Sequence, residues 1–355
     1  MFMKKRWIRA GVVLIVCAVA ILGIGLLQRL LMPKYMHGIV EGAMIAEYYE
    51  EEKNHDVVFI GDCELYENIS PVVLWEEYGI HSYIRGSAQQ LIWQSYYLME
   101  ETLRYEKPDV IVFNVLSMKY NEPQKEEYNR MTLDGMRWSS SKVGSVKASM
   151  TEDESFVEYV FPLLRYHSRW SDLNKDDFTY FFKRDKVTHN GYYMRVDVKP
   201  AVNVPAGRPL ADYTFGENAY AYLDKMVALC EENDVELVLV KAPSLYPAWY
   251  DEWEVQMEEY AKNHGLKYYN FLETIEEIGL DFNEDTYDAG LHLNLSGAEK
   301  LSVYFGKILA EDCGLENHRG DADLEAVWAE KLEAYEAEIQ AQYEKLTIEK
   351  EALED

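Results

Sequence analysis

The hydrophobic pattern opens with an uncharged apolar run from Ala10 to Leu27, preceded by Lys4, Lys5, Arg6 and Arg9. A helix of that length rises about 27 Å, close to the ~30 Å hydrocarbon thickness of a bilayer. Trp7 and Leu30 can extend it on either side. A cleaved signal peptide would show a shorter apolar core followed by small residues at a cleavage site, whereas Leu26 to Leu31 offers none. The pattern therefore predicts an uncleaved anchor. The basic residues before the span keep that end in the cytoplasm and place the rest of the chain outside. Arg29 and Lys34 weaken this asymmetry without reversing it.

Beyond Pro33 a short amphipathic stretch, 40–49, leads into alternating strand and helix patterns. His55 to Ile60 reads as a buried strand that stops at Gly61-Asp62-Cys63. Ser70-Pro71 marks a helix start, and Gly79 ends that helix. A strand over 80–84, a helix over 89–105 and a strand over 109–115 follow. The alternation resumes with a helix over 218–232 and a strand over 236–241. A helix over 250–264, a strand over 267–271 and a last helix over 296–311 complete it. Such βα alternation predicts a three-layer α/β/α fold around a parallel, flavodoxin-like sheet.

Two segments stand outside that rhythm. Residues 121–216 form a polar, aromatic insert with few regular signals, read as a helical lid or substrate-side subdomain; Tyr166, His167, Arg169 and Trp170 cluster within it. From Ala322 to the C-terminus the chain lacks Gly and Pro, and Leu324, Trp328, Leu332, Tyr335, Ile339, Tyr343 and Leu346 recur at helical spacing. That stretch either packs one side on the domain or pairs with a partner helix. The expected organisation is a cytoplasmic stub and anchor over 1–35, an α/β domain over 36–311 carrying the insert, and an acidic amphipathic helix over 312–355.

Charge narrows the function classes. A net charge of -28 repels phosphate backbones and disfavours a nucleic-acid role. Cys17 lies in the apolar run, and the other cysteines, Cys63, Cys230 and Cys313, match neither a zinc nor a CxxC pattern. The chain is not a disulfide scaffold. His167, His189 and Asp177 are isolated, so no metal and no cofactor are expected.

In an open parallel sheet, ligands bind at the carboxyl ends of the strands. Cys63 follows the first strand, Gly86 the second, and Asn114 ends the third; Asp288-Ala-Gly-Leu-His292-Leu-Asn294 precedes the last helix. A thiol needs a base, and the base needs an acceptor to orient it. Cys63, His292 and Asp288 can fill these roles, with the backbone N–H groups of Cys63 and Gly86 as an oxyanion hole. Taken singly the residues are bland: an inert thiol, a helix cap and a turn residue. Asp62 can serve loop amides, Asn114 can cap a strand end, and Lys241-Ala-Pro243 reads as a structural turn bordering the same pocket. An imidazole beside the thiol is expected to lower its pKa below the ordinary value of about 8.5.

Gly61-Asp62-Cys63 resembles the GDS block that opens SGNH/GDSL hydrolases, with cysteine at the nucleophile position. Gly86 resembles their second block, and Asp288 to Gly297 (DAGLHLNLSG) their last. Phe113-Asn114-Val115 matches the third block only in part, and Asn114 would be an oxyanion donor there. The family spacing is Asp-x-x-His, whereas His292 comes four positions after Asp288; Gly290 can absorb the extra residue, and Asp285 is the alternative acid. The anchor, Glu64 and the long insert are similar to the DltD-like branch, which serves D-alanylation of teichoic acids. The resemblance spans about Gly38 to Leu309. It implies an extracytoplasmic esterase or acyltransferase acting on acyl esters of a cell-surface glycan or teichoic-acid-like polymer, working with a membrane-bound O-acyltransferase. The competing reading is a non-catalytic binding or partner-docking protein of the same envelope system.

Overall fold

The computed structural model of the protein describes residues 2–33, 41–182 and 186–354. The chain divides into two compact units, one formed by 1–40 with 152–186 and the other by 41–151 with 187–355.

The larger unit is built on five parallel strands, β1 (Val57–Gly61), β2 (Ser82–Gly86), β3 (Val110–Asn114), β4 (Glu236–Lys241) and β5 (Lys267–Asn270), in the order β2-β1-β3-β4-β5. This is the doubly wound order expected from the alternation. β1, β2 and β3 are buried at every position; β1 and β3 are accordingly almost continuously apolar, while β2 carries Arg85, whose guanidinium pairs with the buried Glu101 at 2.7 Å. Register aligns Gly61 with Gly86 and Asn114 with Val240, so several strands terminate at one level.

The helices cover both faces. Ile92–Tyr105, Ser140–Ser149 and Glu217–Asn233 pack together in one layer, joined by Asp251–His264, whose Tyr260 hydroxyl donates to Asp224 at 2.7 Å. Pro71–Tyr78 and Leu295–Glu311 pack together in the other, where Phe305 meets Phe59 of β1 edge to face. The first of these follows its local chemistry closely. Ser70 caps it by accepting from the Val73 amide, Pro71 occupies its first turn, and Gly79 ends it at φ 66°.

The Ala322–Glu354 helix docks on the same layer through its first half. Trp328 is fully buried, stacked on Trp75 and donating from Nε1 to His81 Nδ1 at 3.0 Å; Tyr335 is also buried. Further along, Gln342 bonds the backbone of Met194 and Val196, while Tyr343 and Ile348 are exposed.

The insert is not one body. Residues 121–151 and 187–216 belong to the sheet-containing unit, and 152–186 to the other. Within the insert, the chain lies along β2: Ile84 N donates to Asn190 O at 2.9 Å, and Asn190 Nδ2 donates to Ser82 O at 3.0 Å. An otherwise open sheet edge is thereby covered. Gly191, at φ 89°, passes so close to Ile84 O that any side chain would collide with it.

The smaller unit contains the helix Phe2–Leu31 and the short helices Phe156–Val160, Leu163–Tyr166 and Lys175–Phe182. Within the long helix, Arg6–Leu31 is long and apolar enough to cross a membrane. All four cysteines are free.

Candidate active site

Each candidate residue sits at the carboxyl end of a strand or in the loop before Leu295–Glu311. Asp62 leaves β1 and caps a single helical turn, Cys63–Tyr66, by accepting from the Glu64 amide at 3.2 Å. Cys63 is therefore the first helical residue, whose N–H a helix leaves without an internal partner. Two glycines pack closely against this turn. A Cβ on Gly61 would meet Leu65 and Asn114, and one on Gly86 would lie 2.8 Å from Tyr66.

His292 and Asp288 meet within their loop. Asp288 Oδ2 lies 2.7 Å from His292 Nδ1, and Oδ1 accepts the His292 amide at 2.8 Å. The four-residue spacing is accommodated by two consecutive left-handed residues, Ala289 (φ 72°) and Gly290 (φ 99°). Thr286 ties the loop, accepting from the Gly290 amide and donating to His292 O, both at 2.8 Å. Asp285, the alternative acid, faces elsewhere: it accepts from Ser296 at 2.8 Å and Lys300 at 2.6 Å at the start of the following helix. With Nδ1 given to Asp288, Nε2 is the ring nitrogen left for the thiol. It is buried and makes no hydrogen bond of ordinary geometry, but Cys63 and His292 are close enough to shift each other's proton affinity.

The direction of those shifts corrects one expectation. Cys63 keeps some exposed surface, yet the protein packed around it pushes the thiol above its ordinary value. The nearby His292 imidazole pulls it down, and Asp62 and Glu67 push it up again. Burial wins, so the thiol pKa is raised, not lowered. Burial also opposes the imidazolium, but Cys63, Glu67 and Asp288 together hold His292 well above its ordinary value.

Asn114 lies where β3 ends, with its amide already engaged. Nδ2 donates to Asp62 at 2.9 Å and to Glu64 at 3.1 Å, and Oδ1 accepts weakly from the Ala242 amide. Lys241, in the segment read as a turn, sends its fully buried side chain beneath Cys63's helical turn. There it pairs with the equally buried Glu64 at 2.9 Å and donates to Ala242 O. Burial and the neighbouring Glu64 push Asp62 up to about 6.

Glu67 and Tyr287 join the site without having been singled out from the sequence. Glu67 Oε2 lies 3.8 Å from His292 Nδ1, a second carboxylate behind the imidazole. Tyr287 donates to Glu67 through a short hydrogen bond, stacks on the His292 ring and carries the Arg195 guanidinium 4.5 Å above its own ring. Glu67 follows Cys63 by one helical turn, and Tyr287 adjoins Asp288. That proximity is the only sequence signal either offered.

No family model matches the chain, and no curated protein matches it. Among solved structures it is similar to a protein described as lipolytic, of the G-D-S-L family, from Desulfitobacterium hafniense. The identity is 14%, covering 72% of this chain and 100% of that one, with TM-score 0.35. It is also similar to a protein described as an acylhydrolase from Bacteroides fragilis, at 12% identity, 76% and 95% coverage and TM-score 0.36. A GDSL-like lipase from Bacteroides thetaiotaomicron matches at 11% identity, 77% and 98% coverage and TM-score 0.35.

Proposed function

We propose that the chain is an SGNH/GDSL-type acyl-ester enzyme with a cysteine nucleophile. It hydrolyses or transfers acyl groups esterified to a cell-surface glycan or teichoic-acid-like polymer. The observation that carries this reading is the Asp288–His292 hydrogen bond of 2.7 Å, placed beside Cys63 at the carboxyl end of the sheet. Cys63 Sγ attacks the ester carbonyl as its proton passes to His292. The oxyanion is met by the N–H groups of Cys63 and Gly86. The tetrahedral intermediate collapses, the leaving alcohol takes the proton from His292, and a thioester remains on Cys63. Water or an acceptor hydroxyl then gives its proton to His292, attacks the thioester and restores the thiol. Asp288 orients the imidazole and stabilises its charged form. Asn114, whose amide hydrogens go to Asp62 and Glu64, fixes the turn that carries Cys63.

The reading places the reaction outside the cell, since the basic residues precede the apolar span. Cooperation with a membrane-bound O-acyltransferase belongs to the same proposal and rests on the DltD-like resemblance alone. One observation favours the non-catalytic alternative, in which the pocket only binds or docks: the upward shift of the Cys63 thiol.

The test is turnover of a small acetyl ester by the full chain, with intact-mass detection of the acylated protein. Cys63→Ala abolishes the adduct, and Cys63→Ser retains a slower activity, because a hydroxyl depends wholly on His292 for activation. Turnover by Cys63→Ala at the parent rate makes Cys63 structural. Absence of turnover and adduct in the parent across several esters gives the lead to the binding reading.

A further inference from the structure

The smaller unit carries a set of apolar side chains that its own fold does not cover. Phe161, Leu164, Trp170, Phe178 and Phe182 are all at least half exposed, Trp170 to 74% and Phe182 to 84%. Phe178 and Phe182 are four residues apart on the Lys175–Phe182 helix and share one face. A water-facing surface rarely presents so many large side chains in so short a segment without an occupant.

The same segment is fastened to the C-terminal end of the apolar helix. Arg169 Nη1 donates to Leu31 O at 2.8 Å, taking up a terminal carbonyl that the helix cannot satisfy itself. Arg169 Nη2 is held by Asp177 at 3.0 Å, which locks this contact to the Lys175–Phe182 helix. Arg29 lies 5.2 Å over the Phe181 ring. Helices Leu163–Tyr166 and Lys175–Phe182 both pack on Phe2–Leu31. The exposed aromatics therefore sit level with the end of a helix long enough to cross a bilayer, where hydrocarbon gives way to headgroups.

We propose that residues 161–182 form a membrane-seated collar, with Phe161, Leu164, Trp170, Phe178 and Phe182 inserted into the interfacial layer of the bilayer around the span. Its occupant is lipid. Two helices of the segment pack directly on the span, and the segment combines aromatic rings with both signs of charge, Arg165, Arg169 and Lys175 against Asp172, Asp176 and Asp177, a mixture that suits a zwitterionic headgroup boundary. The collar rests on reading Phe2–Leu31 as a membrane span.

The test reconstitutes the full chain in phosphatidylcholine vesicles containing a photoactivatable lipid and maps lipid adducts by mass spectrometry, alongside labelling by a water-phase radical. Lipid adducts are expected on 161–182 as well as on the 6–31 helix. Water-phase labelling of Trp170 and Phe182 is expected to be several-fold weaker than that of Tyr343, which is half exposed in the other unit. The triple variant Trp170→Ser, Phe178→Ser, Phe182→Ser should lose the collar adducts several-fold and keep those on the helix. Adducts confined to the helix, with 161–182 freely labelled from water, overturn the collar and leave the span intact. Absence of adducts on the helix overturns the span itself. Crosslinks joining 161–182 to a second copy, or to another protein when native membranes replace vesicles, overturn lipid as the occupant.

Discussion

His292 is held between carboxylates and a thiol, and its resting proton inventory follows from that placement. Both His292 and Cys63 are shifted upward, and because the Cys63 thiolate is itself what raises His292, the two titrate as a pair. Burial of the thiol disfavours the thiolate, so the attacking form becomes more populated as pH rises. Acylation is therefore expected to climb as the pH is raised above neutrality. Single-turnover acylation measured across that range checks it; a plateau already reached below neutrality would contradict the shifts. The two aspartates are separable in the same way. Asp288→Asn should lower turnover roughly 10²–10⁴-fold with little change in stability, because it strips the imidazole of its orienting acceptor. Asp285→Asn should instead cost about 1–3 kcal/mol of stability, through Lys300 and Ser296, and leave turnover within a few-fold. Kinetics and denaturant midpoints on the two variants distinguish these outcomes. The Asp288–His292 contact was legible in the sequence because both residues share one short loop. Glu67 was not, since its approach to His292 joins positions far apart in the chain, and Lys241 was not, since a lysine closing a strand more often reaches water than a buried glutamate.

Among the elements, those with strong local chemistry were read nearly to the residue. Ser70, Pro71 and Gly79 bound one helix, and the apolar runs 57–60, 110–113 and 237–240 became interior strands. The insert gave little because its helices are short; Phe156–Val160 and Leu163–Tyr166 are barely one turn each, too brief for a periodic signal. The long C-terminal helix was visible as a helix, but its periodicity did not say which part is anchored. Trp328 and Tyr335 are buried on the α/β layer, whereas Tyr343 and Ile348 are exposed. Trp328→Ala is therefore expected to destabilise the chain by about 3–5 kcal/mol, through loss of the Trp75 stack and the His81 hydrogen bond. Ile348→Ala should stay within about 0.5 kcal/mol. Urea midpoints of the two variants test the contrast, and equal losses would mean that the distal turns are also packed.

For the molecule as a whole, the proposed orientation puts residues beyond Pro33 outside, because the basic residues precede the apolar run of the first helix. Protease added to intact spheroplasts should remove the α/β domain, while protection of the whole chain would reverse the topology. The order β2-β1-β3-β4-β5 has a further consequence for the chain while it is being made. β3 ends at Asn114, and its neighbour β4 begins only at Glu236, with the insert in between. At roughly 5–20 residues per second, synthesis of the intervening ~120 residues lasts about 6–24 s. For that time the nascent sheet has β1, β2 and β3 and a bare row of N–H and C=O groups along β3, an edge able to pair with any neighbouring strand. Production of this protein is thus most exposed to aggregation in that interval, and slowing translation after residue 114 would lengthen it.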